Sequence, residues 1–600
     1  MPFDGLTITA LSYELNSHLV GSRIDKIHQP EKDELIINMR GYKTTNRLLI
    51  SANARWARMH LTEEKKENPS QAPNFCMLLR KHLEGGKIKS IQQSGLERIV
   101  HIRIEALNEF REWKEKILVC EFMGKHSNII LLDPENNTII DAIKKYGSDI
   151  SSYREVLPGK EYIVPPPQDK LDIRTADFAA FVQKMWDQEE DTSIYRALFA
   201  TCTGLSPYSA RNICQQAGIP PLRPIGESGE YELSRLYEKT RNLVFALQSG
   251  ESSPAIQWKK NEPFEFTPYF PAIDNPEIKL SEYESMNLAC STYYESKLQQ
   301  IRFEEKKRIL TKKVKNKLER AYRKKFLQEG DLARAQERKK YKEWGELLTA
   351  YAHLYKKGDL EAKVYDFNTG EEITLPLDPR YTPIENAQHF FKLYNKGRGT
   401  ERHLRKRMQQ NQADIHYLES VLVAIQAARS ITPILEITEE LEKEGYIKTK
   451  KKKPGQQKKK SSPQRSRPHR FVSSDGLEIL VGRNNRQNDW LTLRHANRED
   501  LWLHTREIPG THVIVKLPPT ISSIDEVPDK TLQEAAGLAA YFSKASEASK
   551  VPVDYTFRSN VRKPAGARPG MVIYDNHWTI NVNPRAAEIQ ALLAQEEADH

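Results

Sequence analysis

Residues 401–425, ERHLRKRMQQNQADIHYLESVLVAI, carry the pattern that most restricts the fold of this chain. Apolar side chains recur there at intervals of three, four or seven residues: Leu404, Met408, Ile415, Leu418, Leu422 and Ile425. Charged residues flank them, which is the spacing of coiled-coil heptads. An earlier segment that begins at Ile309-Leu310 is strongly basic and has similar spacing. One helix running out and a second running back predict a long antiparallel coiled-coil stalk.

A compact insert separates the two arms of the predicted stalk. The sequence KVYDFNTGEEITLPL is typical of a hairpin that turns at Thr369-Gly370. Thr382 and Pro383 have the residue types that favour the N-cap and the first position of the next helix. We therefore expect residues 280–435 to form the stalk, with a small tip insert at about 360–398.

The residues before the stalk predict two domains. Strand-like patterns in the first are ELIINM, NRLLISAN, RIVHIRIE, KILVCEFM and SNIILLD. With a few helices they indicate an α+β domain over residues 1–170, which ends at the proline-rich VLPGKEYIVPPP. Residues 171–275 have helical patterns. Within them, GLSPYSARNICQQAG is typical of a helix-hairpin-helix turn that aims backbone N–H groups at phosphate, although any helical bundle needs capped turns.

After the stalk we expect a basic linker over residues 436–467, a second α+β domain over 468–584 and a tail over 585–600. The strand patterns of this domain are LEILVG, WLTLRH, LWLHT, THVIVK, VPVDYTF and WTINV, and one helix, KTLQEAAGLAAYFSKAS, lies among them. Because 600 residues exceed what a single core holds, the whole is predicted to be a multidomain α+β protein.

The basic residues are concentrated rather than spread. The net charge is +11, and much of the excess lies in KTKKKKPGQQKKKSSPQRSRPHR, residues 448–470, which contains no acidic residue. Concentrated positive charge favours a polyanionic partner, and nucleic acid is favoured over membrane because no amphipathic anchor accompanies the run. A solvated flexible linker explains the same run, and both interpretations stay open.

Other features of the sequence exclude whole classes of protein. No apolar run approaches the roughly 20 residues of a membrane span, and the start of the chain lacks the pattern of a secretory signal. Five cysteines occur singly, without a CxxC pair, which argues against disulfides and against a thiolate zinc site. A P-loop motif and a nucleophile arrangement are also missing. We expect a cytoplasmic protein with no cofactor, no metal and no catalytic residues.

The stretch LWLHTREIPGTHVIVK, residues 501–516, combines histidines, a tryptophan and basic side chains. Strand alternation places Trp502, His504 and Arg506 on one face. We expect that face to be exposed and to bind RNA, because rings stack on unpaired bases and cations attract phosphate. The alternatives are a metal site, which lacks further ligands, and histidines that only hydrogen-bond within a turn. The predicted RNA-binding residues are Arg483, Arg494, Trp502, His504, Arg506, His512, Lys563 and Arg568.

Two polar sites interrupt the strand patterns of the first domain. Glu97 and Arg98 begin a strand, and residues 121–128 predict a polar turn between two others. A carboxylate beside an arginine is compatible with acid–base chemistry, but such neighbours more often form a surface ion pair.

The first two residues leave a different function open. Without Met1, Pro2 would carry an N-terminal secondary amine, which is the nucleophile of base-excision lyases, and a helix-hairpin-helix segment would suit a DNA glycosylase. The acidic residues of an MPELPE-like start are replaced by Phe3, Asp4 and Gly5. A terminal four-cysteine zinc finger is also missing from the sequence, so this alternative has little support.

Blocks along nearly the whole chain resemble the NFACT family. They are MPFDGLTI at the start, FCMLLRKHLEGGKI from residue 75, EFMGKHSNIILLD from 121, REVLPGKEYIVPPP from 154 and RNNRQNDWLTLRHANREDLWLHTREIPGTHVIVK from 483. The family includes NEMF and bacterial ribosome-associated quality-control factors, which were once labelled fibronectin-binding proteins. A fibronectin-binding adhesin is therefore a second alternative, and the missing export signal argues against it.

The resemblance implies a function that composition alone does not give. Such factors bind large ribosomal subunits obstructed by peptidyl-tRNA, recruit alanyl-tRNA and promote mRNA-independent alanine tailing of the stalled chain, which marks it for degradation. The ribosome performs peptidyl transfer, so the factor needs no catalytic site. The implied partners are rRNA, the protein at the base of the ribosomal stalk, tRNA and the small RNA-binding protein RqcP.

The resemblance also implies roles for particular residues. The family's tRNA-contacting pair falls on Glu97 and Arg98, where bacterial relatives commonly have Asp-Arg, and Phe122 replaces a commoner aliphatic residue. The implied tRNA-binding residues are Glu97, Arg98, Glu121, Phe122, Met123, Lys125, His126 and Asn128. The RNA-binding residues of the last domain would then meet rRNA.

Overall fold

The computed structural model describes residues 3–42, 44–149, 151–366, 369–448 and 466–598. Pro2 and most of the predicted basic linker, residues 449–465, lie outside these ranges. The chain divides after Gln299 into two compact units, each with its own core. Within the described ranges, no helix is both long and apolar enough to cross a membrane.

A nine-stranded antiparallel sheet forms the centre of the first unit. Its strands are β1 (Arg23–Glu31), β2 (Glu34–Arg40), β3 (Thr45–Ser51), β4 (Arg58–Leu61), β5 (Lys87–Gln93), β6 (Ile99–Leu107), β7 (Trp113–Glu121), β8 (Asn128–Asp133) and β9 (Thr138–Ala142). Their order is β4-β3-β2-β1-β5-β6-β7-β8-β9. The five strands expected from sequence correspond to β2, β3, β6, β7 and β8, so the α+β prediction is confirmed.

Helices cover one face of this sheet and continue beyond it. They are α1 (Gly5–Leu19), α2 (Asn74–Leu83), α3 (Phe178–Trp186), α4 (Ile194–Thr201), α5 (Pro207–Gln216) and α6 (Glu230–Gln248). A small antiparallel sheet follows, with β10 (Ala255–Lys259), β11 (Glu262–Thr267) and β12 (Ile278–Glu282). Apolar residues of the large sheet and of α3 to α6 belong to one continuous core. The two domains expected before the stalk therefore fold as a single unit.

Long helices follow, as the heptad spacing predicts. They are α7 (Met286–Glu337), α8 (Lys340–Ala350), α9 (Pro383–Ala427) and α10 (Ile431–Lys443), and the hairpin strands β13 (Glu361–Tyr365) and β14 (Glu372–Pro376) lie between α8 and α9. Leu310 and Val314 of α7 pack in one core with Leu418 of α9. Asn411 Nδ2 donates to the Ala321 carbonyl at 2.9 Å, and Lys307 Nζ donates to the Gln426 carbonyl at 3.0 Å. Residue numbers increase along α7 while the numbers of their contact partners on α9 decrease, so the two helices run antiparallel.

The hairpin and the helix start that the sequence predicts within the insert are both present. β13 and β14 pair as an antiparallel hairpin. Thr382 caps α9 by accepting from the Glu385 backbone N–H at 3.3 Å, and Glu385 accepts from the Thr382 backbone N–H at 2.7 Å. Pro383 occupies the first position of the helix.

A six-stranded antiparallel sheet forms the last domain. Its strands, in spatial order, are β15 (His469–Val472), β16 (Glu478–Val481), β18 (Val513–Val515), β17 (Leu501–Thr505), β19 (Val551–Phe557) and β22 (Trp578–Val582). The remaining elements are α11 (Asn485–Trp490), α12 (Asp529–Tyr541), the short strands β20 (Val561–Arg562) and β21 (Ile573–Tyr574), and α13 (Ala587–Ala598). Small residues of α12, such as Ala536, pack against Leu501 and Leu503 on one face of the sheet.

One sequence prediction for the last domain is wrong. WLTLRH forms no strand, because α11 continues through Trp490 into a wide π-helical turn over residues 491–495. A short apolar run fits a buried helix as well as a strand, and Asn484 caps the helix at its start. Within residues 585–600, the predicted tail, α13 places Ile589 and Leu592 in the domain core.

Helix α10 occupies the start of the predicted linker and is joined to the last domain by buried polar contacts. The Glu440 side chain, which is 1% exposed, accepts from Tyr417 Oη at 2.8 Å and from Asn485 Nδ2 at 3.2 Å. Glu436 accepts from Asn484 Nδ2 at 2.7 Å and from the Ser466 backbone N–H at 2.7 Å. These contacts fix the last domain against the base of the helix pair.

Candidate RNA-binding surfaces

Glu97 and Arg98 lie in the tight turn that joins β5 to β6. The Glu97 backbone N–H donates to the Ser94 carbonyl at 2.9 Å, and Gly95 has a φ of +60°. Gln93 Nε2 donates to the carbonyls of Glu97 at 2.9 Å and Gly5 at 3.0 Å. Both the Glu97 and the Arg98 side chain are half-buried, and neither makes a hydrogen bond or ion pair with a described residue. Their charged groups are therefore available to a partner.

The same turn packs against the hairpin between α4 and α5. The Gly5 backbone N–H donates to the Gly204 carbonyl at 2.8 Å. A Cβ on Gly5 would lie 2.3 Å from the Leu96 carbonyl oxygen and 2.4 Å from Gly204 Cα, so only glycine fits. Ser206 then caps α5 by accepting from the Ser209 backbone N–H at 3.1 Å. The start of α1, the Glu97 turn and the α4–α5 hairpin therefore meet at one point, although the sequence pattern treats them separately.

Glu121, which the resemblance implies to be a tRNA-binding residue, is buried in an ion pair. The side chain is 0% exposed, and its two oxygens accept from the Arg154 guanidinium at 2.7 and 2.6 Å. Tyr162 Oη donates to it at 3.0 Å. Burial alone would lower the pKa of Arg154, but the hydrogen bonds and charge of Glu121 raise it. Glu121 is thus a buried structural ion pair.

Two further residues of the implied tRNA set are buried. Phe122 packs edge-to-face on Phe3, with ring centroids 5.0 Å apart. Asn128 Nδ2 donates to the Lys144 carbonyl at 2.9 Å, and Asn128 Oδ1 accepts from the Lys144 backbone N–H at 3.0 Å, which fixes the turn to the strand beyond. Phe122 and Asn128 therefore shape the turn rather than bind RNA.

The exposed part of this turn is its tip. Lys125 and His126 are exposed, and Met123 is half-buried. Lys125 and His126 form no side-chain hydrogen bond or ion pair in the described part of the chain. Of the implied tRNA set, Glu97, Arg98, Met123, Lys125 and His126 can reach a partner.

In the last domain, the expectation of an exposed Trp502 face is wrong. Alternation separates Leu501 and Leu503 from Trp502 correctly, but Trp502 is 0% exposed and His512 is 1% exposed. Residues 485–495 and the loop after β20 cover that face and form a second core with Trp502. Alternation shows which residues share a face, whereas it does not show whether another segment covers that face.

The histidines of this core are neutral. Burial, followed by the neighbouring His504, lowers the pKa of His512 to about 3. Its Nε2–H donates to the Gly570 carbonyl at 3.2 Å, so Nδ1 accepts from the Thr492 hydroxyl at 2.8 Å. Burial also lowers the pKa of His504 to about 4. The interpretation in which the histidines hydrogen-bond inside the fold fits these contacts.

Two predicted RNA-binding cations are engaged within the protein. Lys563 pairs with Asp489, and Arg568 pairs with Asp414 of α9. The Arg568 guanidinium also lies 5.1 Å from the ring centroid of Tyr446. Arg483 is half-buried at the same side. Lys563 and Arg568 therefore make contacts within the protein, whereas Arg494 and Arg506 are exposed as predicted.

One aromatic residue at this surface was missed by the sequence interpretation. Trp490 is 39% exposed, and its ring stacks on His495 with centroids 4.7 Å apart and an interplanar angle of 22°. Trp490 and Arg494 are four residues apart, a helical spacing that reading WLTLRH as a strand concealed.

The described residues contain no group of three or more histidine, cysteine, aspartate or glutamate side chains that could hold a metal ion. All five cysteines are free and buried. Burial raises the pKa of the Cys202 and Cys214 thiols to about 12, so neither is a nucleophile at neutral pH.

The chain matches known proteins along most of its length. The model for NFACT N-terminal and middle domains matches residues 4–461, and the model for the NFACT protein RNA binding domain matches residues 467–576. The Rqc2 homolog RqcH of Bacillus subtilis is 36% identical over 590 residues, which cover 98% of both chains. The Rqc2 homolog RqcH of Streptococcus suis is 33% identical over 593 residues, 99% of this chain and 100% of that one.

A more distant match comes from an animal protein. The ribosome quality control complex subunit NEMF homolog of Drosophila melanogaster is 32% identical over 90 residues, which are 15% of this chain and 9% of the fly protein. Because the two domain models together span residues 4–461 and 467–576, and full-length bacterial relatives align over nearly every residue, the chain belongs to the NFACT family.

Proposed function

We propose that this protein is a ribosome quality control factor that binds large ribosomal subunits obstructed by peptidyl-tRNA. It recruits alanyl-tRNA and promotes mRNA-independent addition of alanine to the stalled chain, which marks that chain for degradation. The ribosome carries out peptidyl transfer, so the protein acts as an adaptor without catalytic residues of its own. Membership of the NFACT family and the names of its full-length relatives support this function.

One observation carries the proposal at the level of residues. Among the residues that the structure describes, none pairs with the charged groups of Glu97 and Arg98, which lie on a turn that the rest of the unit fixes by contacts to its backbone. An unpaired half-buried carboxylate and guanidinium contribute little to folding, since buried charges are normally paired. They suit tRNA instead, because a carboxylate accepts from base amino groups and an arginine pairs with phosphate or guanine.

The other parts of the chain are assigned to ribosome contacts. The antiparallel pair of α7 and α9 acts as a coiled-coil stalk that reaches rRNA and the protein at the base of the ribosomal stalk. Between residues 306 and 325, α7 presents basic side chains interrupted by one acidic residue, Glu319, which suits a phosphate backbone. The α4–α5 hairpin supports the tRNA site, the last domain binds RNA, and RqcP binds the same obstructed subunit.

The test compares a double variant with a matched control. Purified subunits carrying peptidyl-tRNA are sedimented with the protein, and alanine tailing is followed with labelled alanine. We expect Glu97→Ala with Arg98→Ala to abolish tailing without lowering the thermal unfolding midpoint, because neither side chain forms a hydrogen bond or ion pair with a described residue. The control replaces Lys81 and Glu109 by alanine. These side chains form an exposed ion pair at 2.5 Å in the same unit, so tailing should persist.

Tailing that persists unchanged in the Glu97/Arg98 variant would refute the tRNA-site assignment. A wild-type protein that does not sediment with obstructed subunits would refute the proposed function itself. Sequencing the RNA that copurifies with the wild-type protein adds an independent result, since one enriched tRNA species would identify the partner. A covalent adduct with abasic DNA after borohydride treatment would instead support the lyase alternative.

A further inference from the structure

Four exposed aromatic or basic side chains lie within residues 490–498, where α11 ends. They belong to Trp490, Arg494, His495 and Arg498, and we refer to them together as the Trp490 platform. Trp490 is the last residue of α11, and His495 closes the π-helical turn that follows it. The turn is five residues long, so it brings two rings that are five positions apart into a stack.

The π-helical turn is built by specific contacts. The Ala496 backbone N–H donates to the Leu491 carbonyl at 2.8 Å, five residues back, and so leaves the Thr492 carbonyl without its usual helical donor. Arg558 supplies the donor: its Nε lies 2.7 Å from the Thr492 carbonyl and its Nη2 lies 3.2 Å from the Leu493 carbonyl. An inward-facing arginine thus holds the turn open, and the turn holds the stacked rings on the surface.

The charge around the rings is mainly positive. Arg494 and Arg498 are exposed, and neither pairs with a residue that the structure describes. Two nearby carboxylates are already neutralised, Asp489 by Lys563 and Asp500 by Lys516 at 2.7 Å. Glu499 is exposed as well, so residues 490–499 carry two arginines and one carboxylate that pair with no described residue.

These features together select one class of ligand. A flat exposed indole binds a planar apolar group, while the two arginines attract anions and repel the cationic groups that otherwise stack on tryptophan. A nucleotide combines a planar base with a phosphate. Its base must be unpaired, because a base within a helix hides both faces in the stack. We propose that the Trp490 platform binds an unpaired nucleobase of RNA by stacking on Trp490, while Arg494 and Arg498 contact the adjoining phosphates.

This inference deepens the RNA-binding part of the proposed function and rests on it, yet it can be tested without ribosomes. Full-length protein is titrated against a labelled single-stranded RNA and against the same sequence closed into a hairpin, and binding is followed by fluorescence anisotropy at several salt concentrations. Removing one stacking side chain weakens single-strand binding by about 1–3 kcal/mol, or roughly 5- to 150-fold. We expect Trp490→Ala to show this loss on the single strand, with less than about a twofold change on the hairpin.

The arginines should behave differently from the tryptophan. Arg494→Ala combined with Arg498→Ala should weaken both RNAs and reduce the slope of log affinity against log salt by roughly 1.4 on the single strand. Trp186→Ala is the control for an exposed tryptophan, since Trp186 is 46% exposed and lies in the first unit. Arg470→Ala is the control for an exposed arginine, since Arg470 pairs with Glu478 at 2.5 Å. Neither control should change binding more than about twofold.

Wild-type affinity in Trp490→Ala, or an equal loss on both RNAs, would overturn the proposal. If Trp490→Ala lowers the thermal midpoint, the comparison moves to Trp490→Phe and Trp490→Leu. Both fill the site with an apolar side chain, but only phenylalanine keeps a ring, so only it should retain single-strand binding. If single-strand binding depends on Trp490 but the protein does not bind obstructed subunits, the proposed function is contradicted while the inference about the Trp490 platform is supported.

Discussion

The buried pair of Glu121 and Arg154 gives the sharpest test of how the first unit is held together. Glu121→Gln keeps the size of the side chain and removes its charge. The Arg154 guanidinium, 6% exposed, would then lose one of two charge-assisted hydrogen bonds and face an amide NH₂ group instead. Leaving one charge of a buried pair without its partner costs about 3–5 kcal/mol. At about 2 °C per kcal/mol for a unit of this size, the melting midpoint should fall by roughly 6–10 °C.

The assay follows thermal unfolding of the full-length protein together with hydrogen exchange of the amides in β7 and β8, which flank the substituted residue. Protection in these strands should fall more than protection in the last domain. Lys160→Gln is the matched control: Lys160 pairs with Glu155 at 2.8 Å on the surface of the same unit, and its removal should leave the midpoint unchanged.

The same variant separates the structural role of Glu121 from the tRNA contact that the family resemblance implies. Below its melting transition, Glu121→Gln should still sediment with obstructed subunits, because the side chain is enclosed by Arg154 and Tyr162. An unchanged melting midpoint combined with lost subunit binding would refute the reasoning. Glu121 would then have to leave its buried site to reach the tRNA.

Two further predictions concern the Gly5 contact and the buried histidines. Gly5→Ala should displace the Glu97 turn, because the added Cβ would lie 2.3 Å from the Leu96 carbonyl oxygen. Alanine tailing by this variant should fall at least tenfold. The control is Gly330→Ala, whose added Cβ has no described atom within 4 Å, and this variant should tail normally. Burial lowers the pKa of His512 from 6.5 to about 3. As the pH falls, this imidazole is therefore protonated in the unfolded chain before it is protonated in the folded protein. The free energy of unfolding of the last domain should therefore be insensitive to this group above about pH 7 and fall below about pH 6.5, by up to about 1.4 kcal/mol per pH unit. Urea denaturation at pH 7 and pH 5 measures this loss, and His512→Gln should reduce it; an identical pH dependence in the variant would contradict the assignment.

Local patterns predicted most of the elements but not how they meet. The heptads from Leu404 to Ile425 lie in the single helix α9, and Thr382 caps it as its residue type suggests. These signals depend on neighbours within a few positions. Gly5 and Gly204, in contrast, are 199 positions apart in the sequence, and only the fold brings them to hydrogen-bonding distance beside Glu97. No local spacing contains that information.

The predicted sites show the same difference between residue type and environment. The charged groups of Glu97, Arg98 and Arg494 pair with no described residue, whereas Trp502 is covered by a segment that had been assigned as a strand. That one wrong element also hid Trp490, since its four-residue spacing to Arg494 has meaning only in a helix. Because of this single error in secondary structure, the buried Trp502 was predicted to bind RNA and the exposed Trp490 was not.

The contacts of α10 restrict how this protein can be divided or recombined. The two family models part between residues 461 and 467, which suggests an exchangeable last domain. Asn484 and Asn485, however, donate to Glu436 and Glu440, carboxylates that stand before that boundary. A chimera that takes only the last domain from a relative would combine the carboxylates of one protein with the partner side chains of another. An exchanged segment should therefore include α10, and substitutions on the two sides of the boundary at residues 461–467 should accumulate in pairs.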